Sequence, residues 1–411
     1  MNRVVITGYG VTSAIGNTPE EFWNGLKSGK TGIGPITRFD AEATGISVAA
    51  EVKDFPFEKH FEKKDARRMD TFSLYAVYAA LEAMEMSGIT PENTNYDRLG
   101  CIMASGIGGL EQTQKNSQAL LKGPRKVTPL YVPLAIANMA TGNVALRTGA
   151  RGVSRAEVTA CAAGANSIGS AFREIKHGYA DAIIAGGAEA AICELGIAGF
   201  ANLTALTKEA DPSIACRPFD KDRSGFVMGE GAGVLILESL EHAQARGAHI
   251  LAELVGYGAS SDAYHMTSPS PDGEGAARAI RDALNDANLE ANQISYINAH
   301  GTATGANDSG EAHAIATVFG ENTVPVSSTK GMTGHLLGAA GAIEALISVG
   351  SLTRGELPVN VGLDEQDEDT KVVNLVDQEN KHQAPEYVMS ANYGFGGHNA
   401  VIVFKKWHEG V

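Results

Sequence analysis

Val158-Thr159-Ala160-Cys161-Ala162-Ala163-Gly164 and Met332-Thr333-Gly334-His335-Leu336-Leu337-Gly338 are the two stretches that decide the fold. Each sets a reactive side chain just before a helix of small residues, and both helices are expected to stop at a glycine, Gly178 and Gly355. The reactive positions lie 174 residues apart (335 − 161), close to half of the 411-residue chain. Such a spacing fits two similar α/β halves facing each other, although Ala- and Gly-rich helix starts are common in any sequence.

Outward from these stretches, β-branched runs alternate with Ala-rich helical patterns, an α/β signature. Representative strands are expected at Arg3 to Thr7, Ala182 to Ala185, Gly233 to Glu238, Ile294 to Asn298 and Ala400 to Phe404. A helix is expected from about Met69 to Met86, because Leu74, Val77, Tyr78, Leu81 and Met84 recur at helical spacing before Gly88. Gly8-Tyr9-Gly10 follows a strand but the next glycine is Gly16, so the dinucleotide spacing fails and a turn is expected. Gly106-Ile107-Gly108-Gly109 and Gly186-Gly187 lack the lysine of a phosphate loop. No low-complexity linker divides the chain, and its most charged tract, Asp364 to Lys371, reads as a surface loop.

With 44% hydrophobic and 20% charged residues, a large core can form. The formal charge of −15 argues against general affinity for nucleic acid or anionic membrane. Four cysteines without a C-x-x-C pair cannot staple a chain of this length, so a reducing compartment is expected. The first residues show no charged head, apolar stretch and cleavage site, and no apolar run reaches roughly 18 residues, so a cytoplasmic location is expected.

Neither a zinc-ligand pattern nor G-x-S-x-G is present. Cys161 alone among the thiols sits at a strand-to-helix turn among small residues, where the helix dipole favours thiolate; Cys101, Cys193 and Cys216 read as buried structural residues. His300, in Asn298-Ala299-His300-Gly301-Thr302, and His335 both lie beside glycine at a strand end or helix start. A cysteine with two such histidines points to acyl-thioester chemistry, in which imidazole N–H groups stabilise an enolate or oxyanion.

These segments, with Ser328-Thr329-Lys330 and His335-Leu336-Leu337-Gly338-Ala339-Ala340-Gly341, resemble the β-ketoacyl-acyl-carrier-protein synthases, within them the elongating synthase II group. Further support spans the chain: Pro218-Phe219-Asp220, Arg223-Ser224-Gly225-Phe226, Gly229-Glu230-Gly231, Asp262 to Thr267, and Gly394-Phe395-Gly396-Gly397. The resemblance implies a thiolase-like, duplicated five-layer αβαβα fold, with halves at 1–250 and 251–411, that homodimerises. It implies decarboxylative condensation of malonyl-acyl-carrier protein with an acyl chain held on Cys161. The carrier protein is the partner; no cofactor is expected beyond the phosphopantetheine it brings, and neither nucleic acid nor membrane.

By the same resemblance, backbone N–H groups of Cys161 and Phe395 form an oxyanion hole, and Phe395, between Gly394 and Gly396, gates the site. His300 and His335 polarise the malonyl thioester. Lys330 pairs with an acid, Glu311, to hold the histidine environment, with Asp308 similar; as bare residues, both acids have a solvated helix start as the lesser reading. Thr302 and Thr304 bind the phosphopantetheine arm. Ile107, Phe200 and Phe226 line the acyl channel, against an ordinary core reading. Lys63, Lys64, Arg67 and Arg68 dock the carrier, with Arg125 and Lys126 a second candidate. A structural cation near Asn298, Glu344 and Ser390 is known in relatives, but Ala391 replaces a contributing asparagine, so no metal is assigned.

Ala303-Thr304-Gly305 departs from the family's S-T-P, His398 stands where many relatives carry threonine, and Thr204 where some carry arginine. A polyketide-type ketosynthase or a synthase I-like relative is the alternative. A thiolase would need a second cysteine in the C-terminal glycine loop, the initiating synthase would use Asn for one histidine, and a non-catalytic chain-length partner would lack Cys161.

Overall fold

The computed structural model describes residues 1–409. Five strands of the first half, Val4–Thr12, Leu99–Ala104, Ser154–Glu157, Ala182–Glu189 and Gly231–Ser239, lie in the order third, second, fourth, fifth, first. The second half repeats that order with Ala252–Ser261, Tyr296–Asn298, Pro325–Ser327, Tyr387–Gly394 and His398–Lys406. In both halves the fifth strand is antiparallel to its neighbours and the other pairs are parallel. The two first strands pair antiparallel, Val4 opposite Leu254, and so join the sheets. Asn374–Leu375 extends the second half's edge.

Helices Ala163–Lys176 and Ala340–Arg354 are packed between the two sheets, and Thr71–Ser87 and Glu274–Ala287 cover the outer faces. This is the expected five-layer α/β arrangement, with one apolar cluster between the sheets and one beneath each outer layer. Composition explains the central layer: an unbroken run from Ala340 to Leu352 is buried, which small and apolar side chains permit. Glycines bring the two central helices close. A β-carbon on Gly164 would lie 2.6 Å from Ala342 N, and one on Gly341 would lie 2.5 Å from Ala165 N.

The duplication is therefore present, but its offset is 177 residues (340 − 163) and not 174. Turns Ala160–Ala162 and Leu337–Ala339 precede the helices, and Ala160 (φ +51°) and Leu337 (φ +50°) share a left-handed backbone. Cys161 thus matches Gly338, not His335.

The expected strands are all found, and the first runs on to Thr12. Gly8 and Gly10 are accordingly strand residues and not a turn; β-carbons there would lie 2.5 Å from Ala83 O and 2.0 Å from Ala79 O of the covering helix. That helix spans Thr71–Ser87, capped by Asp70 and stopped by left-handed Gly88. Gly355 caps the second central helix likewise, and Gly178 is left-handed just beyond the first. Among the described residues no helix is long and apolar enough to cross a membrane.

Candidate active site

The turn Ala160–Ala162 lifts Cys161 out of the first half toward the second, where Lys330–Thr333 and Leu337–Ala339 bracket His335. Cys161 Sγ lies 3.1 Å from His335 Nε2. Nδ1 of the same ring accepts the Leu337 N–H at 3.3 Å, which assigns the ring proton to Nε2 and directs it at the sulfur. One ligand-type atom each of Cys161, His300 and His335 falls within 4.8 Å of the others. The two imidazoles meet edge to face with centroids 5.2 Å apart.

His300 lies two residues beyond the short strand Tyr296–Asn298, and its Nδ1 faces Lys330 Nζ and Asn392 Nδ2, both at 3.4 Å. Both neighbours are donors, so this ring too carries its proton on Nε2. Burial, then the Lys330 charge, holds both histidines well below their ordinary pKa; for His300, His335 adds to the effect. Two neutral imidazoles therefore offer N–H donors to one cleft.

Lys330 is fully buried, bonded to the His300 carbonyl and ion-paired with Glu344. The expected Lys330–Glu311 pair is thus corrected to Lys330–Glu344. Glu311 instead accepts the N–H groups of His300 and Gly301, each at 2.7 Å. Asp308 accepts the Phe219 N–H at 2.8 Å. Neither acid is a solvated helix start, and burial pushes the Glu311 carboxyl up to about 8.

A second correction concerns Cys161. Burial pushes its thiol up to about 12, and Glu189 and Glu344 oppose the relief from Lys330. The direction of this shift is opposite to the one expected from the helix start, while His335 Nε2–H, directed at the half-buried sulfur, favours the thiolate. Cys101, Cys193 and Cys216 are buried, as read from the sequence.

The cleft, about 230 Å³, is lined by Cys161, His300, His335, Phe200, Phe226 and Phe395, with Thr302, Thr304 and Gly394. Thr304 caps helix Gly305–Phe319, and its hydroxyl lies 2.9 Å from that of Thr302. Phe200 packs on Phe226 and Phe395 at centroid distances of 5.6 and 6.3 Å. Ile107 is not among the cleft-lining residues; together with Cys161 and Phe200 it packs against the apolar cluster of Leu206, Phe226 and Leu337. Gly396 is exposed and left-handed, so of the two gate glycines only Gly394 reaches the cleft. A β-carbon on Gly394 would stand 2.9 Å from Cys161 N, which requires glycine there.

Asn298 Oδ1 and Ser390 Oγ, on paired strands, are buried without partners, the kind of oxygen a cation would need. Glu344, however, is taken by Lys330 and Asn392, and Ala391 offers no ligand, so these residues do not complete a cation cage.

Four contributors escaped the sequence reading: Glu344 as counter-ion, Asn392 on His300, Tyr393 in the cleft wall and Glu189. Glu189 is buried and accepts the N–H groups of Gly106 and Gly338, joining the two halves beside Cys161. A lone acid within the apolar run Ala340 to Leu352 was the available signal for Glu344. The basic residues Lys63, Lys64, Arg67, Arg68, Arg125 and Lys126 are all exposed, on and around turns Asp65–Arg67 and Pro124–Lys126.

Comparison with known proteins places this geometry. Residues 1–243 match the family described as beta-ketoacyl synthase, N-terminal domain, and residues 251–364 match beta-ketoacyl synthase, C-terminal domain. The chain is 48% identical over 408 residues to 3-oxoacyl-[acyl-carrier-protein] synthase 2 of Staphylococcus aureus, covering 98% of both. It is 47% identical over 409 residues to the Synechocystis protein of the same name, with the same coverage. Among solved structures, a beta-ketoacyl synthase from Burkholderia phymatum superposes with a TM-score of 0.92 at 36% identity, over 99% of this chain and 100% of that one. A type II polyketide acyl-carrier protein in complex with its ketosynthase gives 0.90 at 31% identity, with the same coverage. With both halves matched and near-complete coverage, the chain belongs to the beta-ketoacyl synthase family.

Proposed function

We propose that the protein elongates acyl chains by decarboxylative condensation with malonyl-acyl-carrier protein, as a synthase II of fatty-acid synthesis. The observation that carries this is one cleft holding a cysteine sulfur and two neutral imidazoles whose N–H donors are assigned by their other partners.

In the first step Cys161 attacks the carrier thioester; the acyl–sulfur bond to the carrier breaks, one to Cys161 forms, and the thiol proton leaves with the carrier's thiol. In the second, the malonyl thioester oxygen accepts Nε2–H from His300 and His335. The carboxylate departs as CO2, and charge builds on that oxygen against donors already in place. The carbanion carbon attacks the acyl-Cys161 carbonyl. The N–H groups of Cys161 and Phe395 stabilise the oxyanion; as it collapses the bond from the acyl carbon to Cys161 breaks, and the thiolate takes one proton from solvent. Neutral histidines suit this role, since each donates without holding a charge that would trap the enolate.

Lys330 and Glu344 fix His300, Glu311 fixes its backbone, and Asp308 supports the same loop through Phe219. Thr302 and Thr304 at the cleft wall receive the phosphopantetheine arm, Phe200 and Phe226 border the acyl chain, and Phe395 between Gly394 and Gly396 is the gate. No cofactor resident in the protein is needed. A division of the halves at 250/251 is supported by the two matched segments, 1–243 and 251–364. A homodimer is supported by the open edge strand Ser154–Glu157 and by the exposed apolar side chains Leu120, Leu121, Leu130, Val132 and Ile136. Four free cysteines fit a cytoplasmic location. A polyketide-type ketosynthase is the second reading, supported by the fold this chain shares with a solved type II polyketide ketosynthase.

Purified protein given malonyl-carrier protein and acyl primers of graded length should release CO2 and form 3-oxoacyl-carrier protein, and Cys161→Ala should form none. No product with any primer overturns the proposal; a preference for polyketide intermediates moves it to the second reading.

A further inference from the structure

A hydrogen-bonded chain outside the cleft runs from the second half of the molecule to the nucleophile's turn. Tyr257, on strand Ala252–Ser261, donates its hydroxyl to Asn166 Oδ1 at 2.6 Å. Asn166, on the central helix, donates Nδ2–H to Thr159 Oγ1 at 2.7 Å. Thr159 is two residues before Cys161, and Ala160 between them holds φ at +51°. A non-glycine residue keeps that conformation only where its surroundings over-determine it.

The anchor is rigid. Tyr257 is 5% exposed, and its hydroxyl bond to Asn166 is buried. Its ring lies against Gly169, where a β-carbon would stand 2.3 Å from Cδ2, and the Arg173 guanidinium lies 4.5 Å from the ring centroid. Its backbone N–H donates to Asp286 at 3.1 Å. On the other side of the turn, Thr159 O packs against Gly394 so closely that a β-carbon there would stand 2.8 Å away. The turn is therefore held by its side chain from one direction and by backbone packing from the other.

Thr159, Asn166 and Tyr257 do not line the cleft, and none bonds to His300 or His335. The histidines have their own supports in Lys330, Asn392 and the Leu337 N–H. We infer that Tyr257, Asn166 and Thr159 are positioning residues for the nucleophile: they hold the Ala160 turn, aim Cys161 Sγ, and serve acyl capture but not decarboxylation. The inference rests on the reaction proposed above.

The test separates the two half-reactions in Thr159→Val, Thr159→Ser, Asn166→Ala and Tyr257→Phe. Three rates are read: alkylation of Cys161 by iodoacetamide, single-turnover acyl transfer from acyl-carrier protein, and primer-independent CO2 release from malonyl-carrier protein. Thr159→Val and Asn166→Ala should slow alkylation and acyl transfer about tenfold, as expected when a reacting atom is misplaced by a fraction of an ångström. CO2 release should stay within about twofold, because its donors keep their supports. Thr159→Ser, which keeps the hydroxyl, should restore capture, and Tyr257→Phe should show a smaller loss with the same selectivity. Unchanged capture in Thr159→Val, a parallel fall of all three rates, or failure of Thr159→Ser to restore capture would each overturn it. Should Asn166→Ala not fold, the Thr159 pair and Tyr257→Phe decide alone. Iodoacetamide needs no carrier, so a wild type that is alkylated but takes no acyl group rejects the proposed reaction and still leaves the positioning role measurable.

Discussion

Both carboxylate oxygens of Glu311 are occupied by backbone N–H groups, those of His300 and Gly301. Glu311→Gln keeps the shape but turns an amide donor toward one of these donors, leaving a buried N–H unpaired. The expected cost is about 1–3 kcal/mol, read as a lower midpoint in urea denaturation, with slower decarboxylation because His300 loses its backbone support. An unchanged midpoint would show that the carboxylate bonds contribute nothing. The thiol of Cys161 gives a second residue-scale test, because burial and the helix start pull it in opposite directions. With burial dominant and the group pushed up to about 12, the thiolate fraction below that pH rises tenfold per unit. Iodoacetamide alkylation of Cys161 should therefore keep climbing through pH 10, when followed by mass spectrometry. A plateau near pH 8 would show that the helix start prevails.

At the scale of elements, catalysis depends on how closely two helices approach, since Cys161 and His335 each stand a few residues before one of them. Gly164→Ala would put a β-carbon 2.6 Å from Ala342 N, a backbone atom that cannot yield without moving its helix. Overpacking of this kind costs about 1–3 kcal/mol. It should also separate the sulfur from His335 and lower activity beyond the loss of stability. Gly199→Ala is the control: it lies inside helix Glu194–Asn202 with nothing within 4 Å of the added carbon, so stability should hold or rise by up to about 1 kcal/mol. Equal losses in both variants, measured by thermal denaturation and condensation rate, would remove the close crossing from the explanation. The same elements show what was legible in the sequence. Strands and glycine-stopped helices were, because β-branched runs and left-handed caps are local properties. The offset of the repeat was not: the reading paired Cys161 with His335 by chemistry, whereas the repeated feature is the turn at Ala160 and Leu337, and the counterpart of Cys161 is Gly338. Cys161 was legible through its turn among small residues, and His300 and His335 through their glycine-flanked settings. The Lys330–Glu344 pair and Asn392 were not, because nothing local in a sequence says which buried charges meet.

At the scale of the whole molecule, a charge of −15 would repel a carrier protein that is itself acidic, and the proposed docking answers this with a local reversal of sign. Lys63, Lys64, Arg67 and Arg68 are exposed around one turn that leads into helix Thr71–Ser87. Lys64 is partly engaged by Glu62 at 2.8 Å, while the neighbouring Asp65 faces Arg147 at 3.4 Å and so withdraws an acid from the patch. Reversing Lys64, Arg67 and Arg68 to Glu should raise the carrier KM about tenfold at low salt, with kcat nearly unchanged, because the patch acts on encounter and not on the cleft. Added salt should shrink the difference, since exposed charges are screened within about 10 Å at 0.1 M. The net charge itself also changes, so a second variant is needed. Lys371→Glu with Lys381→Glu adds negative charge elsewhere on the chain, on a loop that faces Glu368 and beside Glu356. If docking is local, this pair leaves the KM near wild type; if it raises the KM as much per charge as the patch variant, the carrier senses only the overall field and the four basic residues lose their assigned role.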